Sequence, residues 1–251
     1  MKLKKRLAIV TTHPIQYNAP LFKLLNEEGS FTVKVFYTWS QSKEKVLDKD
    51  FGRVVAWDIP ILDGYDYTFV DNVSSTPGSH HFNGIINPTL NKEIEDWNAD
   101  AILIYGWAFS SHFKVMRYFH KKIPVIFRGD STLLDEPSGY SVKKLFRRSF
   151  LRWVYSYVDL ALYVGSANRR YFEAVGFKSK QLLFAPHAID NTRFSINEDE
   201  FCQEAKKWRI ELGIPENGFV FLFAAKLTIK KDPELLIKSF LELQNSSKWL
   251  I

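Results

Sequence analysis

The sequence predicts an α/β fold with a doubly wound parallel sheet, on three observations. Short apolar runs at residues 7–12, 31–37, 101–105, 125–128, 160–164 and 181–184 alternate with stretches of helical spacing at 19–28, 88–98, 110–120, 142–157 and 167–175. Strands that alternate with helices pair in parallel, because each crossover returns the chain to the same end of the sheet. A further run of five apolar residues, 219–223, suits a strand buried on both faces and leads into a helix with apolar residues Leu235, Leu236 and Phe240 at helical spacing. Composition is the third observation: 251 residues with 46% apolar and 16% aromatic side chains can fill one large or two ordinary cores, which excludes a disordered chain.

The first strand ends in Thr11-Thr12-His13-Pro14-Ile15-Gln16-Tyr17-Asn18-Ala19-Pro20. Without a Gly-x-Gly-x-x-Gly turn to admit a pyrophosphate, a dinucleotide oxidoreductase is disfavoured. The ring nitrogens of His13, the amide of Gln16 and the phenol of Tyr17 suit a hydroxyl-rich ligand. Equally, the loop reads as a rigid turn with Asn18 capping the next helix and Pro20 in its first turn. Residues 41–79 carry the weakest pattern, with turn signals at Asp63-Gly64 and Pro77-Gly78 and short strands expected at 54–59 and 67–70. The fourth strand runs into Gly106-Trp107, an aromatic surface for stacking a sugar or for packing the core. The fifth ends in Arg128-Gly129-Asp130-Ser131. Arg128 and Asp130 either pair with each other or face a ligand, and Arg128, a permanent cation, can bind a hydroxyl or phosphate but cannot act as a base. Ligands of such sheets gather at the carboxyl ends of the strands, where all these residues fall.

The formal charge is +6, and Lys143, Lys144, Arg147, Arg148 and Arg152 crowd into 141–157 with no acid among them. Apolar residues Val142, Leu145, Phe146, Phe150, Trp153 and Val154 interleave with them at amphipathic spacing. Two readings follow: a domain helix with a solvated basic face, or peripheral contact with anionic headgroups, each nearby cation adding about 1 kcal/mol. No nucleic-acid motif accompanies the patch. His112 and His120 stand eight apart on one helix without a carboxylate or thiol to complete a metal set, and His80-His81 sit in a loop, facing solvent. Cys202 is the single cysteine, which fits a reducing cytoplasm. The apolar run 7–10 is too short for a signal-peptide core, and no window reaches the roughly 18 apolar residues of a spanning helix.

A boundary is expected near residue 195, giving a domain at 1–195 and, at 196–251, a linker helix ending at Gly213 followed by one βα unit. The strand at 219 is expected to lack a partner in its own domain, so that the chain reads as ending early in a second domain. Its helix begins at Asp232-Pro233, with Lys226 and Lys231 in the preceding turn. A helix N-terminus beside two lysines attracts a diphosphate, and a solvated turn with chance lysines explains the same residues.

Ala225-Lys226-Leu227, followed by Lys231-Asp232, resembles the Gly-Arg-Leu and Lys-Gly run that opens the C-terminal domain of group 1 (family 4) glycosyltransferases. His13-Pro14-Ile15-Gln16-Tyr17 with Pro20-Leu21-Phe22 and Arg128-Gly129-Asp130-Ser131 resemble a subgroup's first loop and fifth-strand end, and Pro186-His187-Ala188-Ile189-Asp190 resembles the family's Pro-Asn-Gly-Ile-Asp hinge, with His187 and Ala188 in place of asparagine and glycine. The resemblance implies a GT-B fold. It also implies a nucleotide-sugar donor, transfer with retention of configuration, no metal and no cofactor. Lys226 and Lys231 inherit the donor-diphosphate roles, Lys226 without the bidentate fork of arginine. His13, Gln16, Tyr17, Trp107, Arg128 and Asp130 become acceptor-side candidates for a glycan, a lipid-linked or a small-molecule acceptor. The family's paired glutamates are not found up to Ile251, so this chain alone is expected to be inactive. The rival expectation is a non-catalytic carbohydrate-binding or interaction module derived from such an enzyme.

Overall fold

The computed structural model describes all residues except 1–3, 41–46, 49–52, 55–58, 137–140, 196–197, 226 and 244–247. Its first half opens with β1 (Lys5–Thr11), α1 (Ala19–Glu27) and β2 (Phe31–Tyr37). Two short strands, β3 (Leu47–Asp48) and β4 (Arg53–Val54), precede β5 (Asp66–Phe69), α2 (Leu90–Asp96) and β6 (Ala101–Tyr105). Then come α3 (Ser110–Phe119), β7 (Val125–Arg128), α4 (Val142–Tyr155), β8 (Leu160–Tyr163), α5 (Ser166–Ala174) and β9 (Leu182–Phe184). Most expected bounds move by no more than two residues at an end. Of the expected strand at 54–59, Val54 ends β4, Ile59 lies in a bend, and 55–58 are outside the described residues.

Seven strands form one parallel sheet in the order β5-β2-β1-β6-β7-β8-β9. The chain starts at β1, winds outward through β2 and β5, then crosses to β6 and winds the other way. The strand order therefore reverses between β1 and β6, the place beside whose carboxyl ends such sheets bind their ligands. Successive residues of β1 point to opposite faces: Ala8 and Val10 join a core with Ile102, Ile104, Met116, Val154 and Phe172, while Leu7 and Ile9 join one with Ala19, Phe22, Val33 and Val35. Both faces are thus covered by helices, which is why the strands read as unbroken apolar runs.

The chain divides into two compact units, residues 1–47 with 54–189, and residues 48–53 with 190–251. The second contains α6 (Asn191–Ser195), α7 (Glu198–Glu211), β10 (Phe219–Phe221), α8 (Pro233–Glu242) and β11 (Lys248–Leu250). As expected, Gly213 closes α7, with φ +67 and its N–H donating to the Ile210 carbonyl. One expectation is corrected here. β10 is not alone: it pairs in parallel with β11, Val220 opposite Trp249. The crossover through α8 is long enough to bring the chain back alongside, and Lys248-Trp249-Leu250 is too short a run to announce itself as a strand.

Candidate functional site

The carboxyl end of β6 and Thr38, just past β2, are fastened by one buried histidine. His112 on α3 donates from Nδ1 to the carbonyls of Tyr105 at 3.1 Å and Gly106 at 2.9 Å, and its Nε2 lies 2.9 Å from Thr38 Oγ1. Burial pushes its pKa down to about 4, the two carbonyl bonds opposing the shift. The ring is therefore neutral near pH 7, Nε2 is an acceptor, and the Thr38 hydroxyl donates to it. Asn87 continues the network, its Nδ2 donating to the carbonyls of Thr38, Val70 and Asp71. These polar ties sit at the strand ends, where the sheet's own ladder stops and backbone carbonyls need partners.

Above this floor stands Tyr105. Its hydroxyl oxygen is buried and has no hydrogen-bond partner among the described residues. Burial raises its pKa to about 12, against a lowering influence of Arg128, so it stays a protonated donor. Arg128 lies with its guanidinium 6.0 Å from the Tyr105 ring centroid. Tyr17 is close enough for its charge to bear on the Tyr105 hydroxyl, and its exposed ring meets His187 edge-on at 6.0 Å. His13 packs edge-on against Trp39 at 5.8 Å with Nδ1 2.9 Å from Thr12 Oγ1, and burial lowers its pKa below 6.5. Gln16 is exposed. Asn18 begins α1 without the side-chain cap expected of it, and Pro20 does occupy the first turn.

Arg128 does not pair with Asp130. Its Nη1 donates to the Ala185 carbonyl at 2.7 Å and its Nη2 to the Pro186 carbonyl at 3.1 Å, and the residue is 6% exposed, while Asp130 faces solvent. A buried guanidinium needs several acceptors at once, and two adjacent carbonyls supply them better than a carboxylate that water already solvates. Its first task is thus to hold segment 185–186 to the end of β7.

Trp107 packs against the core and also lines an open groove. The indole bonds the buried Tyr155 hydroxyl and packs against the core, while its ring meets Phe150 at 5.8 Å. With Ser79, His80, His81, Phe82, Ala108, Phe109 and Phe150 it lines a groove of 440 Å³. That volume lies within the usual range of small-molecule sites. The 79–82 loop is pinned by close backbone approach: a Cβ on Gly84 would lie 2.1 Å from the Gly78 carbonyl oxygen. His80, His81, Phe82, Phe109 and Phe150 were not singled out as ligand-facing from sequence. Glycine at both positions, 78 and 84, was the available signal.

In the second unit, Asp232 caps α8, accepting from the Leu235 N–H at 3.2 Å, and adopts φ +46. Left-handed backbone at this position accounts for the glycine of the resembling motif. Lys231 is exposed in the turn before it, and Lys226 lies outside the described residues. Asp232 and Glu234 place two carboxylates at this helix start, Glu234 2.7 Å from Lys238. Among the described residues no group of three or more His, Cys, Asp or Glu is placed to hold a metal ion.

Neither a protein-family model nor a curated protein matches the sequence. Solved structures do. Anabaena HepE in complex with UDP aligns with a TM-score of 0.60 at 14% identity, over 99% of this chain and 60% of that one. A glycosyltransferase from Rickettsia africae aligns at 0.54 and 13% identity, over 99% and 68%. A Polygonum tinctorium UDP-glucosyltransferase that glucosylates indoxyl aligns at 0.55 and 12% identity, over 100% and 66%. The fold class is thus that of the GT-B glycosyltransferases, and the chain spans about 60% of the length of HepE.

Proposed function

We propose that this chain serves glycosyl transfer from a nucleotide-sugar donor, with the acceptor held in unit 1 and the donor diphosphate in unit 2. The observation that carries the acceptor side is the Tyr105 hydroxyl: a buried, protonated donor with no partner among the described residues, at the strand-order reversal where α/β sheets bind ligands. In this reading Tyr17, beside Tyr105, meets the acceptor, and His13 and Gln16 of the same loop offer hydrogen bonds to sugar hydroxyls. Trp107 gives a face for an apolar or stacked part of the acceptor. In this reading the acceptor oxygen attacks the anomeric carbon as the bond to the diphosphate breaks. The acceptor proton passes to the departing phosphate oxygen. Lys226 and Lys231 offset the charge that develops on the diphosphate, without a metal and with retention at the anomeric carbon. Residues 1–195 and 196–251 are the acceptor-side and donor-side regions in this scheme.

Calorimetric titration with UDP, UDP-glucose and glucose tests the donor side. Binding of both nucleotides is expected, weakened about tenfold or more in Lys231→Ala by loss of a charge-assisted contact of about 1.5 to 3 kcal/mol. The carboxylates Asp232 and Glu234 at the α8 start favour a second reading, a carbohydrate-binding module without a donor site. Glucose binding with no nucleotide binding would select it, and nucleotide binding unchanged in Lys231→Ala would remove the diphosphate role of that turn.

A further inference from the structure

Helix α4 turns its apolar residues outward. Leu151, Val154 and Tyr155 are buried, but Val142, Leu145, Phe146, Phe150 and Trp153 are exposed by 71, 67, 72, 48 and 46%. At about 100° per residue these five fall within one stripe opposite the buried three. The expectation of an apolar face in the core with a solvated basic face outside is therefore overturned for all but Val154. The reason is visible in the cations. Lys144, Arg147 and Arg148 gather on Glu136, at 3.1, 3.4 and 2.9 Å, and the Glu136 side chain is 2% exposed. Burial would raise the Glu136 pKa, but the bonds and charges of Arg148 and Lys144 bring it below the ordinary carboxylate value. This clasp draws basic residues toward the flank and leaves the aromatic and aliphatic side chains facing solvent.

We propose that α4 docks on an anionic lipid surface, its apolar stripe entering the headgroup boundary and its cations meeting lipid phosphates. Charge complementarity selects this occupant. Five cations stand on α4 against Asp135 and Glu136 just before it, and the outward stripe carries no acid. A helix with Phe, Trp and Leu on one face and flanking Lys and Arg lies in the plane of an interface. No helix among the described residues is long and apolar enough to cross a membrane, so the contact is peripheral. The stripe also runs into the groove: Phe150 meets both Trp153 at 5.8 Å and Trp107 at 5.8 Å. If the glycosyl-transfer reading holds, docking would bring that groove to the headgroups, and a membrane-borne amphiphile is the acceptor class it would meet. Docking itself needs neither donor nor acceptor, so the two readings stand or fall separately.

Co-sedimentation with vesicles of phosphatidylglycerol and phosphatidylcholine, and with phosphatidylcholine alone, tests the proposal. Binding is expected to the mixed vesicles only, with release by salt. Lys143→Gln/Arg147→Gln should lower the partition coefficient about thirtyfold. Leu145→Ser/Phe146→Ser, at positions exposed in the fold, should abolish binding while leaving the circular-dichroism spectrum and melting temperature unchanged. Equal binding to both vesicle types, binding to neither, or full binding by the serine variant would overturn it. So would a dimer that the serine substitutions dissolve, which would assign the stripe to a second copy of the chain.

Discussion

His112 shows how a single residue can matter without touching a ligand. It ties Thr38 to the carbonyls of Tyr105 and Gly106, and so fixes the strand end from which the Tyr105 hydroxyl and Trp107 project. Because the fold holds its pKa near 4, against about 6.5 in the unfolded chain, the unfolded chain takes up the proton first as pH falls. The stability it contributes is complete above pH 6.5 and is lost between 6.5 and 4, by roughly 3 kcal/mol in all. His112→Gln should lower stability at pH 7 by about 1 to 3 kcal/mol and flatten this dependence. Urea unfolding at pH 7 and pH 5 checks it, and equal pH slopes in wild type and variant would refute the assignment. The sequence named His112 only as a histidine without metal partners. Nothing in residue spacing reveals that the end of β6 and Thr38, just past β2, meet at its ring. Arg128 was legible as a strand-end cation, but its true acceptors, the carbonyls of Ala185 and Pro186, are more than fifty residues away.

Among the elements, the strands and helices of the first unit were legible because continuous apolar runs and 3.6-residue spacing are what a two-sided sheet and its covering helices require. α4 exposes the limit of that logic. Periodicity gives a helix an apolar side but cannot say which way it faces, and only the Glu136 clasp and the burial of Leu151, Val154 and Tyr155 decide it. α8 allows a sharper test. Asp232 combines a favourable cap with a left-handed backbone that costs a residue with a Cβ about 1 kcal/mol. Asp232→Ala loses the cap and keeps the strain, so it should destabilise the second unit by about 1 to 2 kcal/mol. Asp232→Gly relieves the strain and should stay within about 1 kcal/mol of wild type. Glycine also removes a negative charge next to Lys231, so nucleotide binding should tighten in that variant. Thermal melts with and without UDP report both effects, and an alanine variant as stable as the glycine one would contradict the cap.

At the scale of the whole molecule, the proposed acceptor side lies at the β1–β6 reversal and the proposed donor side in the β10-α8-β11 unit. The strand-order reversal follows from six parallel pairings across distant segments, so only the alternation of elements, and not the order itself, was written in local sequence. The partner of β10 was missed for the same reason, since three residues near the end of the chain carry too little pattern to mark a strand. The most direct measurement of the central claim is an amide chemical-shift map of the isotope-labelled protein titrated with UDP-glucose. The account predicts shifts at Lys231, Glu234 and Leu235, around the α8 start. It predicts none at those amides when glucose alone is added at the same concentration. Shifts absent from the α8 start, or the same with glucose as with UDP-glucose, would contradict a nucleotide-sugar donor site in this chain.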